Sequence, residues 1–162
     1  MNFWISMIGY SPFAVINTLW AACSQDKESY VPNKVFFLVN NNLKSENITR
    51  VHVWAAELLK AYGIADPVLE NVEIEKGDFE GIEKTICSLI EQSMKEGNVA
   101  IDITPGRKFM SAIAMYSGIK KNARHVYYLH LKEQKYENEP FPLIPMPFQK
   151  LIDLKKEGVC CE

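Results

Sequence analysis

The residues best equipped for chemistry stand together in Asp102-Ile103-Thr104-Pro105-Gly106-Arg107-Lys108-Phe109-Met110-Ser111. They follow a short apolar run, Val99-Ala100-Ile101, and open an apolar pattern of helical period. Thr104 carries the hydroxyl of an N-cap, and Pro105 stands where proline suits a first helical position. Gly106 lets a ligand approach the backbone closely. Arg107 and Lys108 then set two cations on the first turn, beside unpaired N–H groups and the positive end of the helix dipole. That arrangement asks for an anion, and phosphate is the natural one.

A second turn has the same design. Phe3 to Gly9 reads as a buried strand that runs into Tyr10-Ser11-Pro12, with Ser11 as an N-cap and Pro12 as a first-turn proline. Other chemistries lack their signatures. Neither G-x-G-x-x-G nor G-x-x-x-x-G-K-[ST] occurs, which removes the dinucleotide fingerprint and the P-loop. His52, His125 and His130 have no carboxylate pair placed to join them, so no metal site and no cofactor is expected. What remains is a site built from Ser11, Arg107, Lys108 and backbone N–H groups. Asn40 and Asn41, at the end of the second strand, are candidates to touch a base or ribose, and Tyr10 to stack on a base. Asp102 is expected to make a structural hydrogen bond.

The elements that position these turns alternate. Strands are expected at Phe3 to Gly9, Lys34 to Val39, Val68 to Ile74, Asn98 to Ile103 and His125 to Leu131. Helices are expected between them, the second with Ile48, Val51, Ala55, Leu58 and Leu59 and the third with Ile82, Ile86, Leu89, Ile90 and Met94. Gly97 reads as the C-terminal glycine of the third helix. The fourth helix shows Phe109, Ile113, Tyr116 and Ile119. This is an α/β pattern: a Rossmann-like, doubly wound, mostly parallel sheet with helices on both faces. In the order 3-2-1-4-5, strands one and four are neighbours where the order reverses, so the two matching turns flank one crevice. Residues 1–131 form the Rossmann-like part. Residues 132–162 form a C-terminal arm of the same domain, with Pro140, Pro142, Pro145 and Pro147 permitting only an edge strand, and a short helix over Phe148 to Lys156.

The totals bound the function. At 162 residues with 48% hydrophobic and 23% charged residues, the chain reads as one ordinary globular domain. A net charge of −2 gives no basic field for duplex DNA, so any anion site is local. Apolar runs fall short of the ~20 residues of a membrane helix. Cys23, Cys87, Cys160 and Cys161 form no C-x-x-C pair or disulfide framework, which points to a reducing cytoplasm.

A first strand ending in a Ser-Pro turn, with a fourth ending D-x-T-x-G-x-K-x-M-[ST], resembles the CRISPR-associated Rossmann-fold (CARF) domain family. That family binds cyclic oligoadenylates of type III CRISPR defence. Its usual fourth-strand motif is nearer Thr-Gly-Gly-Thr-Lys. Here Thr104-Pro105-Gly106-Arg107-Lys108 replaces a glycine by proline and a threonine by arginine. The Arg-Lys form with Ser11 is similar to the standalone ring nucleases of the family. The resemblance covers residues 1–131. It implies a homodimer with cyclic tetra-adenylate as the favoured ligand, and metal-independent attack of a ribose 2′-OH that leaves a 2′,3′-cyclic phosphate. It also implies catalytic roles for Ser11, Arg107 and Lys108, with ligand contacts from Tyr10, Pro12, Asn40, Asn41, Thr104, Pro105 and Gly106. The alternative is a sensor domain that holds the ring without cleaving it.

Overall fold

Five apolar segments pair side by side and leave their carboxyl ends along one edge, which is what creates the candidate site. The computed structural model describes residues 1–156. In chain order the elements are β1 (Asn2–Met7), α1 (Pro12–Cys23), β2 (Lys34–Asn40), α2 (Ser45–Ala61), β3 (Val68–Ile74), α3 (Phe79–Met94), β4 (Asn98–Asp102), α4 (Lys108–Lys120), β5 (His125–Leu131) and β6 (Gln149–Asp153). The sheet order is β3-β2-β1-β4-β5-β6, parallel from β1 to β5, with β6 antiparallel on β5.

The strand side chains divide the core in two. Trp4, Val35, Phe37 and Tyr127 pack with Val15, Leu19, Val51 and Leu59 of α1 and α2. Phe3, Ile5, Met7, Phe36 and Ile101 pack with Ile82, Ile86 and Ile90 of α3 and Met110 and Ala114 of α4. Because both faces are covered, β1 and β2 read as continuous apolar runs. β3, paired on one side only, is largely exposed and alternates weakly.

Four sequence expectations change. First, α4 starts at Lys108 with Arg107 as its N-cap, not at Thr104. The Thr104 hydroxyl accepts the N–H of Leu129 on β5 (2.9 Å) and its own N–H donates to Asp102 (2.9 Å), so it is tied to the sheet rather than capping a helix. Second, α4 buries Met110, Ala114, Ser117 and Gly118, while Tyr116 and Ile119 face solvent. A Cβ on Gly118 would stand 2.8 Å from Ile101 Cδ1 and 2.9 Å from Val126 Cγ2, so small residues let this helix sit close to the sheet. Third, Gly97 has no positive φ. Its N–H reaches Ser93 O (3.0 Å), and a Cβ there would fall 1.8 Å from the carbonyl oxygen of Met1, so close backbone approach is the reason for glycine. Fourth, residues 149–153 form β6 instead of a helix. The free edge of β5 offers a ladder that a five-residue segment can satisfy more fully than an isolated helical turn. Cys160, Cys161 and Glu162 lie outside the described residues.

Between β5 and β6 the arm makes three 3₁₀ turns and rests on α1. Asn17, 2% exposed, holds it: its Nδ2 donates to Glu139 O (2.8 Å) and its Oδ1 accepts the N–H of Phe141 (2.9 Å). His125 Nδ1 meets Asp153 Oδ2 at 2.7 Å and so gains a carboxylate partner, from β6, that the sequence pattern did not offer. No helix among the described residues is long and apolar enough to cross a membrane. Asn17→Ala removes both bonds to the arm and is expected to lower stability by about 1–3 kcal/mol. The check is a lower urea midpoint at an unchanged slope.

Candidate functional site

The turn after β1 is set by its own residues. Ser11, in extended geometry, accepts the N–H of Ala14 at 3.4 Å, and Pro12 takes the first helical position and is buried. The loop after β4 comes to meet it. A Cβ on Gly9 would lie 2.4 Å from the carbonyl oxygen of Pro105, so the two backbones touch there and only glycine fits. Gly106 is explained by packing rather than by a ligand: its absent Cβ would meet Met7 Cε at 2.5 Å and Ser111 Oγ at 2.7 Å. Ser111 in turn donates to Ile103 O (2.7 Å) and fixes the loop against α4.

Between the turns lies a crevice of about 310 Å³. Met7, Ile8 and Met110 line its apolar part, and Tyr10, Ser11, Asn40, Asn42, Pro105, Gly106 and Arg107 line the rest with Leu43 and Lys76. Among the described residues, no carboxylate and no imidazole lines it. Arg107 Nη2 donates to the Tyr10 hydroxyl at 2.7 Å, and its guanidinium carbon stands 5.4 Å from the Tyr10 ring centroid. Arg107 therefore has Tyr10 as its partner on the crevice wall. One such bond leaves most of the five guanidinium donors free.

Of the residues singled out by sequence, Tyr10, Ser11, Asn40, Pro105, Gly106 and Arg107 come together on the crevice wall. Pro12 and Thr104 have structural partners instead. Asn41 and Lys108 are exposed and stand off the wall, Lys108 at the first position of α4 beside Arg107. Asn42 N–H donates to Asn40 Oδ1 (3.1 Å), shaping the turn after β2. Lys76, in the turn after β3, was missed. The rule that every parallel strand points its carboxyl end at one edge would have found it. Among the described residues no cluster of three or more His, Cys, Asp or Glu is placed to hold a metal ion.

No protein-family model and no curated protein matches this sequence. Solved structures match its fold. Enterococcus italicus Csm6 bound to cyclic hexa-2′-fluoro-hexa-dAMP matches with a TM-score of 0.65 at 11% identity, over 94% of this chain and 42% of that one. Can2 from Sulfobacillus thermosulfidooxidans, in complex with cyclic tetra-adenylate, matches with a TM-score of 0.57 at 14% identity, over 79% and 32%. The fold is CARF-like. Protein VC1899 from Vibrio cholerae matches with a TM-score of 0.62 at 14% identity, over 97% and 34%. The chain thus spans between 32% and 42% of the length of these structures, which share its fold at low identity.

Beneath the turn after β4 lies Asp102, with no exposure. Its Oδ2 accepts the Ser6 hydroxyl (2.9 Å) and its Oδ1 the Thr104 N–H (2.9 Å), linking β1, β4 and the loop. Burial pushes its carboxyl from the ordinary 3.8 up to about 7, against the pull of those donors. The unfolded chain loses this proton near the lower value and the folded chain near the higher, so this group's stabilisation falls as pH rises between them. Asp102→Asn keeps an acceptor for Thr104 and cannot ionise. Its melting temperature relative to the native protein is expected to climb from about pH 4 to pH 7 and then level off, as thermal melts across a pH series will show.

Proposed function

We propose that the crevice binds a cyclic oligoadenylate, with cyclic tetra-adenylate favoured, and that the protein is a ring nuclease that switches off type III CRISPR signalling. One observation carries this reading. The turns after β1 and β4 meet so that Ser11 and Arg107 face a single crevice, which also holds Lys76 and, among the described residues, has no lining carboxylate. Two cations without a neighbouring negative charge favour phosphate. The nucleotide rings in the Can2 and Csm6 structures support the ligand class.

Each residue has a role in this scheme. Arg107 forks onto two phosphate oxygens, a geometry that lysine cannot copy. Ser11 donates its hydroxyl to a phosphate oxygen or orients the 2′-OH. Tyr10, 76% exposed, offers its ring to an adenine, and Asn40 its amide to a base or ribose. In the cleavage step a ribose 2′-oxygen attacks the adjacent phosphorus and the bond from phosphorus to the 5′-oxygen breaks. The 2′-OH gives its proton to solvent, and the leaving oxygen takes one up. Lys108, exposed beside Arg107 and outside the crevice wall, reaches in on its flexible side chain to stabilise the charge that develops on the way. No metal takes part in this scheme, and alignment supplies most of the rate. A two-fold symmetric ring matches an isologous homodimer, which joins two crevices about one axis.

The lack of an imidazole or carboxylate on the crevice wall among the described residues favours a second reading, a sensor domain that holds the ring and regulates a partner. Labelled cyclic tetra-adenylate, incubated with excess protein and EDTA, separates the two. Linear product with a 2′,3′-cyclic phosphate is the expected result. Binding without cleavage leaves the sensor, and no binding overturns both. Lys108→Ala is expected to slow cleavage about 10²-fold while retaining the ring. Unchanged cleavage would remove Lys108 from the reaction. Arg107→Ala is expected to weaken binding about tenfold or more, measured by titration.

A further inference from the structure

We propose that the cavity between the arm and α1 is a second nucleoside subsite, and that one strand of the ligand crosses from it into the crevice over a ridge formed by Ser11 and Pro105. The inference rests on the ligand class proposed above and adds where the second nucleoside goes. The arm-side cavity measures about 540 Å³, the crevice about 310 Å³, and Ser11 and Pro105 are the residues that line both. A phosphodiester has the same layout, one phosphate with a nucleoside on either side.

The chemistry of the two cavities differs in the sense this requires. The crevice has Arg107 and Lys76 without a carboxylate among the described residues, which suits a charged linkage and its ribose. The arm-side cavity is lined by Lys132 and Glu137, by Gln134 and Asn138 with their amides, and by Ala14 and Leu131 among others. A lining with one cation, one carboxylate, hydrogen-bonding amides and apolar side chains suits a base and sugar better than a free phosphate. At the ridge, Ser11 Oγ accepts only a long bond of 3.4 Å from Ala14 N–H, and its proton remains available to a phosphate oxygen. The arm wall is held to α1 by Asn17, which uses both ends of its amide on Glu139 and Phe141. A preformed wall spares the ligand the cost of ordering it.

The test compares two fragments by titration, adenosine monophosphate and 3′,5′-linked diadenosine monophosphate, with the intact cyclic tetra-adenylate measured alongside. The native protein is expected to prefer the dinucleotide by about tenfold or more, the worth of one further stacked or enclosed base. Ala14→Leu fills the cavity from α1 with a good helix former and is expected to bring that ratio close to one. The double variant Gln134→Ala, Asn138→Ala alters only the exposed arm, leaves the core intact, and is expected to lower the ratio about threefold. A native ratio of one, or a ratio that neither variant moves, overturns the subsite. If the ring itself binds while the ratio is one, only the subsite falls. If the ring does not bind, the functional reading falls first and the subsite with it.

Discussion

Gly9 lies against the carbonyl of Pro105, and that backbone contact sets the width and composition of the crevice. It exists because β1 and β4 are parallel neighbours that end at the same edge, in the register Ile5 opposite Ile101. The Ser6 hydroxyl on Asp102 ties those strands together one step earlier, and Thr104 bonded to Leu129 carries the tie on to β5. A side chain at residue 9 would part the loops and open the bond between Tyr10 and Arg107. Packing inside the sheet thus governs the geometry of groups that are largely exposed.

Electrostatics follows from that geometry. Arg107 stands at the N-terminus of α4, where a cation meets the unfavourable end of the helix dipole at a cost of about 0.3–1 kcal/mol. The Tyr10 hydroxyl and ring face offset part of this cost. A phosphate would offset more and would meet N–H groups as well as the guanidinium. The bond between Tyr10 and Arg107 is therefore weaker than the phosphate contact proposed for the same guanidinium. Asp102, the nearest buried carboxyl in sequence, has its charge suppressed toward neutral pH by burial, which limits its opposition to an anion nearby.

Much of this was legible in the sequence because it depends on local residues. Apolar runs of strand length and helical stripes gave the order of elements, and the paired Ser-Pro and Thr-Pro turns located the edge where β1 and β4 end. Ser11 and Pro12 act as their types suggest, since an N-cap needs only its own first turn. What was misread depends on distant partners. Thr104 has the residue type of a cap, yet Leu129, 25 residues away, takes its hydroxyl. The stripe from Phe109 to Ile119 suggested one face of α4, whereas tight seating on Ile101 and Val126 selects the face with Ala114 and Gly118. β6 forms because β5 would otherwise present an open edge, a fact of the assembled sheet. Lys76 enters the site through the pairing of β3 with β2, which no short motif records.

The central claim is that one crevice per chain, completed by a second copy, holds a ring of adenylates. Isothermal titration of the native protein with cyclic tetra-adenylate tests it most directly. The account predicts saturable binding of one ring per two chains, weakened by added salt because cations make the phosphate contacts. No saturable binding, or one ring per single chain, would contradict it.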